Sequence, residues 1–406
     1  MSGRLVHYFP RIWPGGGPPG YLYNLRSALA EHFPDAPVEV ISLAERHDRY
    51  SYLSEHTGRR SGTVRGLLRR YAPASWKQRW AYSRYLRVWD AGTIPAVARA
   101  RLEQAAAVVF HDPRSAWWYL RGGGGGPSRR VYVELHAPVD VATEDAADLM
   151  AHYGESVLWD RLRDRVSEME LGTYESAHGI IVPCLEAVDA YFSRSADLKS
   201  RFARLTFHHV LPGAPPMQPS TAREVVRQRL GARGDELLIG FFGRYHRHKG
   251  FDVFCEVAAL AQRRGRRSLK FLSAGDGWVR PPALSNYTNL GWLGPDLADV
   301  LNAVDCLLQP NRHTFLDLMF IEAMSAGKPI VTTAIGGGRW LASVAKGVLA
   351  VELDPHRLLD AVESALPEAR RVELGRANRD TYDATFTLRA FAERHISFAR
   401  AVLDGA

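Results

Sequence analysis

The sequence predicts an α/β protein built from two parallel-sheet domains, and three observations carry that expectation. The chain has 406 residues, more than one ordinary hydrophobic core accommodates. A buried-strand pattern followed by a glycine-bearing loop and an apolar helix opens twice, at Leu5–Phe9 and again at Leu237–Phe242. Between the two openings lies Leu211–Thr221, LPGAPPMQPST, a Pro-, Gly- and Ser-rich run without periodicity that reads as a linker. The expected division is residues 1–212, residues 213–385, and a terminal helix over 386–406 that packs back onto the first domain.

Hydrophobic residues at 46% and charged residues at 24% are the proportions of a soluble globular enzyme. No apolar run approaches the roughly 20 residues that span a bilayer, and MSGRLVHYFP passes straight into a strand with no secretory signal in view. Cys184, Cys255 and Cys306 are odd in number and far apart. They exclude a disulfide framework or a cysteine zinc site and fit a reducing, cytoplasmic setting. A net charge of +8 and a pI near 9.4 favour anionic partners: nucleoside diphosphates, anionic lipid or nucleic acid. Charge alone does not choose among them.

In the first half, Leu5–Phe9 is a strand, Pro14–Gly20 a glycine–proline loop, and an apolar helical pattern starts at Tyr21 and continues through Leu22, Leu25, Leu29 and Phe33. This layout lets backbone approach a ligand closely, but the glycine spacing is not the dinucleotide fingerprint, so a nicotinamide site has little support. Val38–Ser42 is the next strand. Arg59 to Arg101 is the most basic stretch, interleaved with Trp76, Trp80, Tyr82, Tyr85 and Trp89, and with Val64, Leu67, Leu68 and Tyr71 on one helical face. It reads as a solvated arginine-rich face or as a surface for an anionic membrane at its inner side. Nucleic acid is disfavoured, because no recognised module accompanies the charge. Ala106–Phe110 is a buried strand ending in His111-Asp112, and Gly122–Gly126 is a loop. The strand from Val131 carries His136 at its carboxyl end, where open α/β sheets gather ligands. A lone histidine there also suits a purely structural role. Ile180–Pro183 is the last strand of this half.

In the second half, Leu237–Phe242 runs into Gly243-Arg244-Tyr245-His246-Arg247-His248-Lys249-Gly250, followed by a helix with Phe251, Phe254, Val257, Ala258 and Ala261 on its apolar side. Arg244 and Lys249 thus sit on a loop at a strand's carboxyl end. There a guanidinium fork and an ammonium point charge suit a diphosphate, unless the loop is simply a solvated basic turn. Leu269–Ser273 leads to Ala274-Gly275-Asp276-Gly277, and Asn289–Gly294 follows. Cys306–Leu308 is a buried strand closed by Gln309-Pro310-Asn311. Thr314 or Asp317 can cap the next helix, whose stripe is Leu318, Ile321, Met324 and Ser325, with Glu322 beside it. Gly327 stops that helix and Pro329 prevents its return. The backbone N–H groups of Phe315, Leu316, Asp317 and Leu318 are read as the helix start, where an anion is favoured. Gly336–Gly338 is expected to end the strand Ile330–Thr333.

Gly243-Arg244, four residues, Lys249-Gly250, together with Glu322-Ala323-Met324, Gly327 and Pro329-Ile330, resembles the nucleotide-binding signature of the retaining glycosyltransferases of family 4. Weaker matches run over nearly the whole chain. The resemblance implies the GT-B fold, two facing Rossmann-like domains with an interdomain cleft. It implies transfer of a sugar from a nucleotide diphosphate sugar to an acceptor hydroxyl. Arg244 and Lys249 would stabilise the departing diphosphate, with the helix start at Phe315–Leu318. His136 would stand by the reacting sugar, Gly16 and Gly17 by the donor phosphate and acceptor, Gly243 by the donor, and Glu322 by the ribose hydroxyls. Two positions depart from the pattern: Thr314 stands where the family has its first glutamate, and Asp317 where it has glycine. These departures also fit a catalytically weak or inactive GT-B protein that binds a nucleotide sugar or an anionic membrane surface. An epimerase on the same fold is a more distant reading. No metal-binding spacing appears, so neither metal nor cofactor is expected. Nor does the carboxylate pair, about 5 Å apart, that a retaining glycosidase needs.

Overall fold

The computed structural model describes residues 3–45, 72–125 and 129–405. Arg59, Arg60, Arg65, Arg69 and Arg70, with the face formed by Val64, Leu67, Leu68 and Tyr71, lie outside the described residues. The chain forms two compact units. One comprises Met1–Val182, Val188–Val210 and Ala392–Ala406, the other Pro183–Ala187 and Leu211–Phe391.

The first unit contains β1 (Leu5–Tyr8), β2 (Arg11–Ile12), β3 (Val38–Ile41), β4 (Ala44–Glu45), β5 (Ala107–Phe110), β6 (Arg130–Glu134), β7 (Gly179–Val182) and β8 (Phe207–His209). Six of them make one parallel sheet in the order β3-β1-β5-β6-β7-β8, while β2 and β4 pair separately. All residues of β1, β5 and β7 are buried, because helices cover both faces of a parallel sheet. That is why these strands read as unbroken apolar runs.

The first helix spans Gly17–His32, starting four residues before the apolar pattern at Tyr21. Pro18 and Pro19 occupy its first turn, where a missing N–H forfeits no intrahelical bond. The described part of the basic stretch forms the helix Ala74–Ala91. Its Trp89 is completely buried, and Tyr82 and Tyr85 pack with it against Leu162 and Val166 of the helix Val157–Glu175. Trp80 joins a neighbouring cluster with Trp159, whereas Trp76 is 52% exposed. Most of the rings that punctuate this stretch therefore belong to a core. From Ala392 onward, the last helix packs on the first unit: Phe398 meets Tyr132 with ring centres 5.2 Å apart, and Arg130 donates to the Val402 carbonyl at 2.6 Å.

The second unit contains β9 (Leu237–Phe242), β10 (Leu269–Ala274), β11 (Tyr287–Asn289), β12 (Cys306–Gln309), β13 (Ile330–Thr333) and β14 (Val348–Val351). They form a parallel sheet in the order β11-β10-β9-β12-β13-β14. This is the doubly wound arrangement, with its switch point between β9 and β12. One face packs on Leu301, Phe320, Ile321 and Met324, the other on Phe254, Val257, Leu358 and Val362. Gly336–Gly338 is not a simple strand end: it is the first turn of the helix Gly336–Val344. Glycine is needed there because a methyl at Gly336 would overlap the Thr314 carbonyl, and one at Gly337 the Phe315 carbonyl.

Candidate functional site

At the switch point of the second unit, the loops after β9 and β12 are laced together. The Arg312 N–H donates to the His248 carbonyl at 2.9 Å, and the Gln309 amide to the Phe242 carbonyl at 2.7 Å. Gly250 has φ 68°, and a methyl there would overlap the Pro310 carbonyl. Gly243 has φ 142°, and its carbonyl lies where a side chain on Gly275 would go. Tyr245 stiffens the loop from beneath: its ring stacks on Phe251 at 3.9 Å, and its hydroxyl bonds Ser273 Oγ at 2.8 Å and Asn289 Oδ1 at 2.7 Å.

Lys249 and Asp317 meet here. Lys249 Nζ donates to Asp317 Oδ1 at 2.7 Å, and Asn311 Nδ2 donates to Asp317 Oδ2 at 3.0 Å. Asp317 holds the N-cap position of the helix Leu318–Ser325, yet its side chain makes no capping bond; the carboxylate is spent on Lys249 and Asn311 instead. Arg244 is exposed on the same loop. The rings of His246 and His248 stack at 5.0 Å, and His313 lies 5.8 Å from His248. The loop thus presents a cationic, ring-lined rim.

Phe315 and Leu316 precede the helix rather than opening it. Their stretch is pinned by the second glycine-rich helix start, where the Gly337 N–H donates to the Thr314 carbonyl at 2.8 Å. Two helix amino ends, at Leu318 and at Gly336, therefore converge on residues 314–317, and both favour an anion. Thr314 is 1% exposed and its hydroxyl has no hydrogen-bond partner among the described residues. Leu316 belongs to the core. Glu322 is half-buried on the helix, one turn beyond Leu318. The structure thus joins Lys249, Asn311 and Asp317; Gly243 and Arg244 share the loop of Lys249, and Thr314, Phe315, Leu316, Leu318 and Glu322 lie on the segment that carries Asp317. Sequence reasoning missed Asn311, completely buried beneath Asp317, and the role of Gly336 and Gly337. A polar side chain three residues past the apolar run Cys306–Leu308, just after Pro310, was the available signal for Asn311.

Gly16, Gly17 and His136 belong to the first unit. Gly16 is the N-cap of the helix Gly17–His32, and Tyr21, one turn on, sets its ring 4.8 Å from that of His136. His136 lies just past β6, half-buried. Its Nε2 is 2.8 Å from His111 Nδ1, and His111 Nε2 is 2.9 Å from His7 Nδ1. The Tyr21 hydroxyl bonds His395 Nε2 at 2.9 Å. Burial pushes His7 and His136 down to about 3, and pushes the Glu134 carboxyl up to about 8. Among the described residues, one group offers donors to a metal: His7, His111 and Glu134, with atoms within 4.8 Å of one another. Ligands of one tetrahedral zinc ion lie about 3.3 Å apart, so the spread is wider than a formed site. The sequence signal for this group was weak. His7 is a lone histidine inside an apolar strand, and His111 and Glu134 each read only as a strand end.

Two doubly wound units, each with its candidate residues at the carboxyl ends of a parallel sheet, are the two parts of the GT-B fold. Sucrose-phosphate synthase from Thermosynechococcus elongatus matches with a TM-score of 0.64 at 17% identity, over 99% of this chain and 100% of that one. Anabaena HepE in complex with UDP-glucose matches with a TM-score of 0.59 at 13% identity, over 98% and 99%. At these identities the likeness is one of fold. Residues 236–368 match the model of the glycosyl transferases group 1. The chain is 28% identical over 206 residues to D-inositol 3-phosphate glycosyltransferase 1 of Catenulispora acidiphila, covering 45% of this chain and 48% of that protein. It is 27% identical over 288 residues to 2-deoxystreptamine N-acetyl-D-glucosaminyltransferase of Streptomyces fradiae, covering 63% and 65%. The chain thus spans less than two thirds of the length of either relative.

Proposed function

We propose that this protein transfers a sugar from a nucleoside diphosphate sugar to an acceptor hydroxyl, with retention at the anomeric carbon and without a metal ion. The observation that carries the reading is the cationic loop Gly243–Gly250 laced to two converging helix amino ends at one switch point. Breaking the glycosyl–phosphate bond leaves its electron pair on the diphosphate while positive charge grows on the sugar. Preorganised cations and amide dipoles stabilise that leaving group where its charge develops. Arg244 and Lys249 supply the cations, and the amino ends of the helices that start at Leu318 and Gly336 supply the dipoles. Glu322 accepts from the ribose hydroxyls, and His136 bonds the donor sugar or the acceptor. The relatives named as glycosyltransferases and the HepE complex with UDP-glucose support the substrate class.

A second reading is a nucleotide-sugar binder with little or no turnover. It draws on Asp317 already neutralising Lys249, and on Thr314 standing buried where the resembling family has a carboxylate. A screen of nucleoside diphosphates and their sugars by thermal shift tests both. A ligand at a hundred times its Kd stabilises by about 2.7 kcal/mol, a rise of several degrees in Tm. Stabilisation with release of free nucleoside diphosphate supports the transferase, and stabilisation without release supports the binder. No response to any nucleotide overturns both.

A further inference from the structure

Behind His136 the first unit buries a row of histidines on three adjacent strands. His7 lies in β1, His111 follows β5 and His136 follows β6, and the register Tyr8↔Phe110↔Val133 aligns their carboxyl ends. Resting on the role proposed for His136, we infer that His7 and His111 are positioning residues whose hydrogen-bonded row fixes the proton of His136 on Nδ1. His136 then meets its ligand as a donor and not as a base.

Both ring nitrogens of His111 are engaged, at 2.9 Å with His7 and at 2.8 Å with His136. A neutral imidazole has one N–H and one lone pair, so the row runs in a single direction. Running inward, toward His7, it would place an N–H on His7 Nε2, which is buried with no partner among the described residues. Running outward, it leaves only a lone pair there, and a buried orphaned acceptor is better tolerated than a buried orphaned N–H. In the outward direction, His111 Nδ1 donates to His136 Nε2, which leaves the His136 proton on Nδ1. Burial keeps the row uncharged, pushing His7 and His136 down to about 3 and His111 and His395 well below the ordinary histidine range. Glu134 Oε2 stands 3.6 Å from His111 Nε2. Its carboxyl, pushed up to about 8 by burial, is uncharged at neutral pH and draws no proton onto that nitrogen. Tyr21 bonds His395 Nε2 and the Glu134 carboxyl, and Arg394 acts on Tyr21 and His395.

The test is nitrogen-15 NMR of the histidine side chains in the full chain, with His136 assigned by its loss in His136→Ala. The expected result is a neutral His136 protonated at Nδ1. His111→Phe removes the donor, so the His136 signals shift toward a tautomer mixture. Turnover falls about five- to tenfold, the worth of one ordinary hydrogen bond, with little change in the donor KM. His111→Asn places an amide N–H where Nδ1 stood and restores both. A wild-type His136 protonated at Nε2 overturns the inference, whether or not the variants fold. So does a His111→Phe spectrum in which His136 is unmoved. One bound zinc per purified chain would make these residues ligands and overturn it as well. The tautomer is read without any turnover, so the two proposals fail separately. Full transfer by His136→Ala removes the row from the reaction even where the tautomer is as expected.

Discussion

Replacing Asp317 with asparagine should tighten the binding of a nucleoside diphosphate. In the resting protein, Lys249 Nζ is held 2.7 Å from Asp317 Oδ1, so an arriving phosphate meets an ammonium whose charge is already balanced. A phosphate that touches Lys249 comes within about 5 Å of that carboxylate. Two unit charges at that separation repel by about 3 kcal/mol at an effective dielectric near 20, and by less than about 1 kcal/mol in bulk water. The pair is partly exposed, with side-chain exposures of 25% and 16%, so an intermediate value of about 1–2 kcal/mol applies, a five- to thirtyfold fall in Kd. Asparagine keeps the size of the side chain and its bond from Asn311 by an amide flip. The assay is competition binding of UDP and GDP at two salt concentrations, with uridine and guanosine as uncharged controls. The gain should shrink as salt rises and should be absent for the nucleosides. Equal or weaker diphosphate binding by Asp317→Asn, or an equal gain for the nucleosides, would refute the reasoning.

Gly337→Ala drives a methyl into the Phe315 carbonyl and should cost about 2–4 kcal/mol in urea denaturation. Gly172→Ala meets nothing within 4 Å in its helix and should gain about 0.5–1 kcal/mol. The buried polar group of the first unit sets opposite pH limits on stability. Below pH 6.5 the unfolded chain takes up protons that His7, His111, His136 and His395 refuse in the fold, so stability falls toward acid by up to about 1.4 kcal/mol per pH unit for each. Glu134 has a folded value raised to about 8, so its contribution is lost as pH rises from the ordinary carboxyl range through that value. Glu134→Gln should flatten the decline between pH 7 and 8, read from denaturation midpoints in the two buffers. Thr314→Val removes a hydroxyl that has no hydrogen-bond partner among the described residues. It should leave stability within about 1 kcal/mol of wild type while weakening the binding of a nucleotide sugar relative to the bare diphosphate.

What was legible in the sequence is what depends on neighbours along the chain. The unbroken apolar runs at Leu5–Tyr8, Ala107–Phe110 and Cys306–Leu308 announce buried parallel strands. Gly243–Gly250 announces a loop that backbone geometry confines to glycine at both ends. Contacts between distant residues were not legible. The Lys249–Asp317 pair joins positions 68 residues apart, and the row from His7 to His136 crosses three strands. Periodicity also misled where local rules compete. Pro18 and Pro19 look like helix breakers, yet they suit a first turn. Gly336–Gly338 look like a turn, yet they open a helix because the Thr314 and Phe315 carbonyls leave no room for a side chain. The rings of Trp80, Tyr82, Tyr85 and Trp89 pack against neighbouring helices, while Arg79, Arg84 and Arg87 of the same helix are exposed.

The central claim is that the switch point of the second unit holds a diphosphate through the cations of one loop. Isothermal titration of UDP and GDP into the wild type and into the Arg244→Ala, Lys249→Ala double variant tests it most directly. A hydrogen bond to a charged group contributes about 1.5–3 kcal/mol net, so the double variant should bind at least a hundredfold more weakly than the wild type, with its melting temperature preserved. Equal affinity in the two proteins, or a wild type that takes up neither nucleotide, would contradict the account.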